Sequence, residues 1–296
     1  MEFSDLQIFR TVVRTGGVVR AAETLHRAQS SVTARIQVLE EKLGVQLFLR
    51  EGRRLQLSPG GKILVGYADR MLDLAKEAVQ AIQSDRPSGV LRLGAMESTA
   101  AARLPKPLGR FHDRYPDVAL ELYSGDPREL IKQVLCADLD AALITDPIPD
   151  RRLETLAIYD EELVIVAEAK HGSIASPKDL SSKTILAFHP GCPHRKRLED
   201  WFLRGRVTPG RIVEAGSYHL ILGCVAVGMG IALVPHSVLD SYAERDRLSV
   251  HPLPAKFGRA KTRLVWLRDA PQTKILALSS VLLESNETKN APLGDA

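Results

Sequence analysis

The chain is poor in the residues and patterns that make cross-links, membrane anchors or nucleotide cradles. Three cysteines occur in 296 residues, Cys136, Cys192 and Cys224. They are odd in number and widely spaced, so no disulfide framework is implied. No apolar run approaches the ~20 residues needed to cross a bilayer. The N-terminus lacks a basic segment followed by an apolar core, the mark of a secretory leader. The expectation is a cytoplasmic chain with no membrane partner. Catalytic signatures are missing too. Gly61-Lys62 is followed by Ile63 and has no earlier glycine at the spacing of a phosphate-binding loop. No G-x-G-x-x-G follows a strand, and neither a G-x-S-x-G elbow nor H-E-x-x-H occurs. The expectation is therefore no enzyme and no cofactor.

What is present is an ordinary globular composition, 45% hydrophobic and 26% charged, over a length that makes two or three domains. Net charge is +4. Through residue 58, arginine and lysine at positions 10, 14, 20, 27, 35, 42, 50, 53 and 54 outnumber acids at 2, 5, 23, 40, 41 and 51 by nine to six. That +3 places most of the excess at one end, a footprint for nucleic acid that is weak by itself.

The same end carries a pattern. Ala21, Ala22 and Leu25 share one face of a short helix. A second helix from about Ser30 sets Val32, Ile36, Leu39 and Leu43 at i, i+4, i+7 and i+11. Its other face, Ser30, Thr33, Ala34 and Gln37, is small or polar, and suits plain solvent or a DNA major groove equally. The neighbours favour DNA. Phe3, Leu6, Phe9 and Val13 stripe a preceding helix that Gly16-Gly17 ends, which makes a helix-turn-helix unit. After Gly44, LFLREGRRLQLSP reads as a two-stranded wing tipped by Arg50, Glu51, Gly52, Arg53 and Arg54.

Ser58 and Pro59 then form an N-cap and N1 pair. Leu64, Ala68, Met71, Ala75, Ala78 and Ile82 follow at alternating spacings of four and three, with Val65, Leu72 and Val79 widening the stripe. A helix resting on its own domain would show this seam, as would a dimerising coiled coil. The second is preferred, since a helix of ~25 residues and ~38 Å finds little else to cover it. Residues 84–89, SDRPSG, read as a hinge. From Val90 strands and helices alternate to the end, which argues α/β with mainly parallel strands.

The run AAETLHRAQSSVTARIQVLEEKLGVQLFLREGRRLQLSPGG resembles the N-terminal domain of LysR-type transcriptional regulators. The usual form there is AA..L..SQ.AVS..I..LE..LG..LF.R..R...LT.AG. Departures fall at Ser30, Thr33 and Ser58-Pro59 and concern only the preferred DNA sequence. The resemblance implies a winged helix-turn-helix domain over 1–58, a linker helix and hinge over 59–88, and an α/β effector-binding domain over 89–296. That domain would be two Rossmann-like lobes like those of periplasmic binding proteins, lobe I at about 90–160 and 266–290 and lobe II at about 161–265. It implies Gln29, Ser30, Ser31, Thr33 and Gln37 at base edges or nearby phosphates, and Arg35, Arg50, Arg53 and Arg54 on the backbone and in the wing. Partners would be promoter DNA, a small-molecule effector, a second copy (a homodimer, pairing into a homotetramer) and RNA polymerase.

In open α/β sheets ligands sit outside the carboxyl ends of strands. Three such ends are polar. Ser98 and Thr99, after VLRLGAM and Glu97, suit a helix cap or an effector contact. Thr145 and Asp146, after AALIT, suit a turn or the same pocket. His189, Cys192, His194 and Arg195 follow TILAF. This segment allows an ordinary helix start, an effector contact with Arg195 clamping an anion, or a redox or metal site around Cys192. A metal would lack a clear fourth donor. Ser217, with Gly216 and Tyr218, also resembles the family's pocket lining, and GMGIALVP at 228–235 a structural turn. The main alternative is a thiol sensor acting through Cys192. A solute-binding protein or enzyme is remote, having no use for the first 58 residues. Arg53→Ala should weaken binding to most DNA sequences and flatten its salt dependence. A salt titration of binding with an unchanged slope would remove Arg53 from the contacts.

Overall fold

The computed structural model describes residues 1–51, 54–83, 86–146, 149–180 and 184–290. It divides into two compact units, Met1–Gly89 and Val90–Ala296.

The first unit runs α1 (Phe3–Thr15), α2 (Val18–Thr24), α3 (Gln29–Leu43), β1 (Phe48–Glu51), β2 (Arg54–Leu57) and α4 (Pro59–Gln83). Gly16, at φ 71°, ends α1 in the left-handed conformation that glycine adopts without strain. Leu6, Phe9 and Val12 of α1 meet Ala21, Ala22, Val32, Ile36 and Leu39 in one core. Phe3 stands outside it, 55% exposed. The wing is fastened to α3 by Glu40, whose Oε1 accepts the Leu47 and Phe48 N–H groups at 2.6 and 3.2 Å. β1 and β2 pair antiparallel from Phe48↔Leu57 to Glu51↔Arg54.

The helix expected to pair two chains is in place, but part of its seam is turned inward. Ser58 Oγ accepts the Gly61 N–H at 2.9 Å and starts α4 as an N-cap should. Leu64 and Ala68 are then buried in the first unit's own core, and Met71, Val65 and Leu72 pack against it. At Leu64 and Ala68 the dimerisation assignment is corrected, because they cover the flank of α1 and cannot also face a partner. Arg10 of α1 pairs with Asp69 and fixes that side. The apolar residues α4 leaves outward are Ile63, Tyr67, Leu74 and Val79, each more than half exposed. Ala75 is half-buried and Ala78 exposed, while the side chain of Ile82 lies outside the described residues.

The second unit continues with β3 (Gly89–Ala95, its first residue at the boundary), α5 (Glu97–Ala102), α6 (Pro105–Arg114), β4 (Val118–Ser124), α7 (Pro127–Leu135), β5 (Ala141–Thr145) and β6 (Leu153–Glu168). Next come β7 (Thr184–Ala187), α8 (Pro193–Arg204), β8 (Arg211–Glu214), α9 (Tyr218–Ala226), β9 (Ala232–Pro235) and α10 (His236–Asp240). Last are β10 (Leu248–Pro252), α11 (Ala255–Gly258), β11 (Arg259–Leu267) and α12 (Thr273–Asn290). Two lobes form, each with apolar clusters on both faces of its strands. The main sheet runs β10-β6-β11-β5-β3-β4 with β9 also on β6, and β7-β8 form a parallel pair beside it.

The sheet is mixed, which corrects the expectation of mainly parallel strands. β3 and β5 pair in parallel, but β6 and β11 run antiparallel to each other, and β11 is also antiparallel to β5. These two strands carry the chain between the lobes. β11 rejoins lobe I at Thr262, opposite Thr145, earlier than the 266 expected.

One contact in the first unit leaves no room for a side chain. A Cβ on Gly61 would lie 2.1 Å from the Leu47 carbonyl oxygen. Gly61→Ala should therefore destabilise the unit by about 1–3 kcal/mol, read as an earlier urea transition and lost DNA affinity. An unchanged curve would mean that α4 steps back from Leu47 freely.

Candidate functional site

In the first unit the polar face of α3 is open to solvent. Gln29, Ser30, Ser31, Ala34 and Gln37 are exposed, while Val32, Ile36 and Leu39 beneath them are buried. Thr33 is half-buried and donates to the Gln29 carbonyl at 3.0 Å. Arg35 is placed otherwise than expected. Its guanidinium lies 3.3 Å from Asp5 and 3.7 Å from Glu2, and donates to Ser4 Oγ. It ties α3 to the start of α1 and is not aimed outward as a phosphate contact. Arg50 and Arg54 lie in the wing strands. Their side chains, and all of Arg53, fall outside the described residues.

In the second unit a cavity of about 220 Å³ opens at the strand ends between the lobes. Lobe I contributes Glu97, Ser98 and, from the end of β4, Ser124 and Asp126. Lobe II contributes Phe188, His189, Cys192, Gly216 and Tyr218. Of the expected residues it therefore gathers Ser98, His189 and Cys192. Thr99 is buried beside it, outside the lining. Ser217 accepts the Leu220 N–H and caps α9 instead. Thr145 bonds Thr262 at 3.2 Å between their hydroxyls. With Asp146, Thr145 lines a separate groove of about 720 Å³ between α7 and α8. Asp146 holds a left-handed backbone, φ 51°, and pairs with Arg197 across the lobes.

Arg195 is engaged by the chain's own acids. It donates to Glu199 and Glu214 at 2.8 Å each and to the Phe188 carbonyl at 3.0 Å. Those bonds fasten α8 to the ends of β7 and β8. His194 lies behind the cavity, fully enclosed, with Nδ1 2.6 Å from the Tyr218 hydroxyl. Burial lowers its pKa to about 4, so the ring is neutral at pH 7. Neither residue lines the cavity, and Arg195 borders the neighbouring groove.

Sequence reasoning passed over the end of β4, Ser124 to Asp126, and Phe188. The rule that ligands gather at strand ends applies to β4 as well and would have found it.

The chemistry at Cys192 is the reverse of an activated thiol. It is 7% exposed, and burial pushes its pKa up, outweighing the backbone N–H groups at the start of α8 that lower it. None of the three cysteines is in a disulfide. Among the described residues no group of His, Cys, Asp and Glu could hold a metal ion, and no helix is long and apolar enough to cross a membrane.

A winged helix with an exposed reading face, in one chain with a two-lobed ligand domain, defines a one-component transcriptional regulator. Residues 3–62 match the model of the bacterial regulatory helix-turn-helix proteins of the lysR family, and residues 84–286 that of the LysR substrate binding domain. The chain belongs to the LysR family of DNA-binding transcriptional regulators. It is 37% identical over 278 residues to the HTH-type transcriptional regulator GltR of Bacillus subtilis, covering 94% of each chain. Its fold is similar to full-length OxyR of Pseudomonas aeruginosa (TM-score 0.70, 24% identity, 96% of this chain and 98% of that one). It is also similar to CbnR, solved with its target DNA (TM-score 0.67, 20% identity, 96% and 100%).

At pH 7 an alkylating reagent should modify exposed Cys136 well before Cys192, as read by peptide mass spectrometry. Preferential labelling of Cys192 would restore the thiol-sensor reading.

Proposed function

We propose that this regulator reads its operator with the exposed face of α3 and the wing, and is controlled by a small molecule held in the 220 Å³ cavity. The observation that carries the reading is the open row Gln29, Ser30, Ser31 and Gln37 on a helix whose opposite face is locked into the core. Those side chains, with Thr33, meet base edges or nearby phosphates. Arg50, Arg53 and Arg54 serve the backbone beside the wing, and Arg35 aligns α3 from behind.

Two copies pair through the outward stripe of α4, Ile63, Tyr67 and Leu74, with Ala78 continuing it. This brings two reading helices to palindromic half-sites. Dimers then pair into a tetramer whose arrangement bends the promoter and governs recruitment of RNA polymerase in the cytoplasm. The effector shifts that arrangement only by binding one lobe geometry better than another. Ser98, His189 and Cys192 contact it directly. Thr145, Asp146 and Arg195 shape the neighbouring groove, and Thr99, His194 and Ser217 support the walls.

Gly216 lines the cavity and a Cβ there meets nothing within 4 Å, so this position accepts a larger side chain at the cavity wall. Gly216→Leu should keep operator binding in a gel shift and lose the response to whichever metabolite alters the wild-type shift. A full response in the variant would place the effector elsewhere, and absence of DNA binding by the wild-type protein would overturn the whole reading.

A further inference from the structure

The cavity carries carboxylates and aromatic rings on its walls, and we infer that its ligand is a small organic cation, a metabolite bearing an ammonium group. This rests on the reading of the cavity as the effector site.

Glu97 and Asp126 line the cavity against a single imidazole, His189, and no lysine or arginine lines it among the described residues. An anion entering here would face two carboxylates without a fixed positive charge to meet it. Helix N-termini are ordinarily sites for anions. At two of the helix starts around this cavity, those of α9 and α7, the chain's own acids already occupy that place. Glu97 Oε1 accepts the Tyr218 N–H of α9 at 3.3 Å, and Asp126 caps α7 by accepting the Arg128 N–H at 2.8 Å.

One acceptor on the wall is also unmet. Glu97 Oε2 is buried and has no hydrogen-bond partner. Burial pushes the Glu97 carboxyl above its usual range, the mark of a negative charge lacking compensation. An ammonium donor beside it would supply both the missing bond and the missing charge. Finally, Phe188 and Tyr218 line the same space with ring centroids 4.8 Å apart. Aromatic faces next to carboxylates are the recurring surroundings of bound ammonium groups. The volume limits the ligand to small-metabolite size.

The test is isothermal calorimetry on the full-length protein with ethanolamine, putrescine and choline, against succinate and benzoate as anions. At least one cation should bind and both anions should not. Glu97→Gln keeps the side-chain shape and should weaken that cation at least about tenfold. Asp126→Asn, which preserves the helix cap, should weaken it as well, with operator binding unchanged and no fall in unfolding midpoint in either variant. Binding of an anion that Gly216→Leu abolishes would overturn the cationic class while leaving the cavity as the effector site. A cation that still binds Gly216→Leu at full strength would overturn the cavity and this inference together. No binding by any cation overturns the inference alone, provided some other compound still alters the promoter shift of the wild type and not of Gly216→Leu.

Discussion

The sensor unit depends on one antiparallel ladder. β6 and β11 are paired from Leu153↔Leu267 to Glu162↔Arg259, with a register shift between Thr262 and Arg263. Each strand begins in one lobe and ends in the other, so any relative motion of the lobes must bend or twist this ribbon. At the crossing, Glu161 is 4% exposed and bound in a bidentate pair by Arg103 at 2.9 Å for both bonds, with Ser237 donating to it at 3.1 Å. A buried carboxylate is tolerable only when its acceptors are met this fully. Arg103 comes from the end of α5 and Ser237 from α10, so both lobes hold the ribbon near one end of its ladder.

That anchor gives the cavity its mechanical setting. Glu97 opens α5 and Arg103 follows it, so one short helix joins the cavity wall to the crossing. Across the cleft Tyr218 meets Glu97 through its backbone and His194 through its hydroxyl. On the other side Arg197 and Asp146 form a second link between lobes. A ligand drawing Glu97 away from Tyr218 would alter a contact between lobes whose far end is tied to the ribbon. The physical route from ligand to lobe geometry is therefore short.

Much of this was legible in the sequence, and the misses have particular causes. The stripe Val32, Ile36, Leu39 reads directly because helical periodicity is local, and so does the Ser58 cap. Strand direction is not local. The acids Asp160, Glu161 and Glu162 look like a break in an apolar strand, whereas Glu161 is the buried centre of a 16-residue one. Arg195 suggested an anion clamp by its position at a strand end. Glu199, four residues later, was visible as a partner, but Glu214 is brought in only by the fold. The seam of α4 failed for another reason: that helix is apolar on two sides, and sequence periodicity cannot say which side its own domain claims. The cavity was half visible because its lining comes from four separate strand ends, three of them recognised.

The inward turn of that seam separates two tasks within a single helix. Leu64 and Ala68 answer to the stability of the first unit, while Ile63, Tyr67 and Leu74 stand more than half exposed outside its core. Substitutions on the outward side can accumulate without passing through a misfolded intermediate. Under the proposed pairing through this face, a duplicated copy of such a regulator would diverge in its choice of partner first and keep its grip on DNA meanwhile.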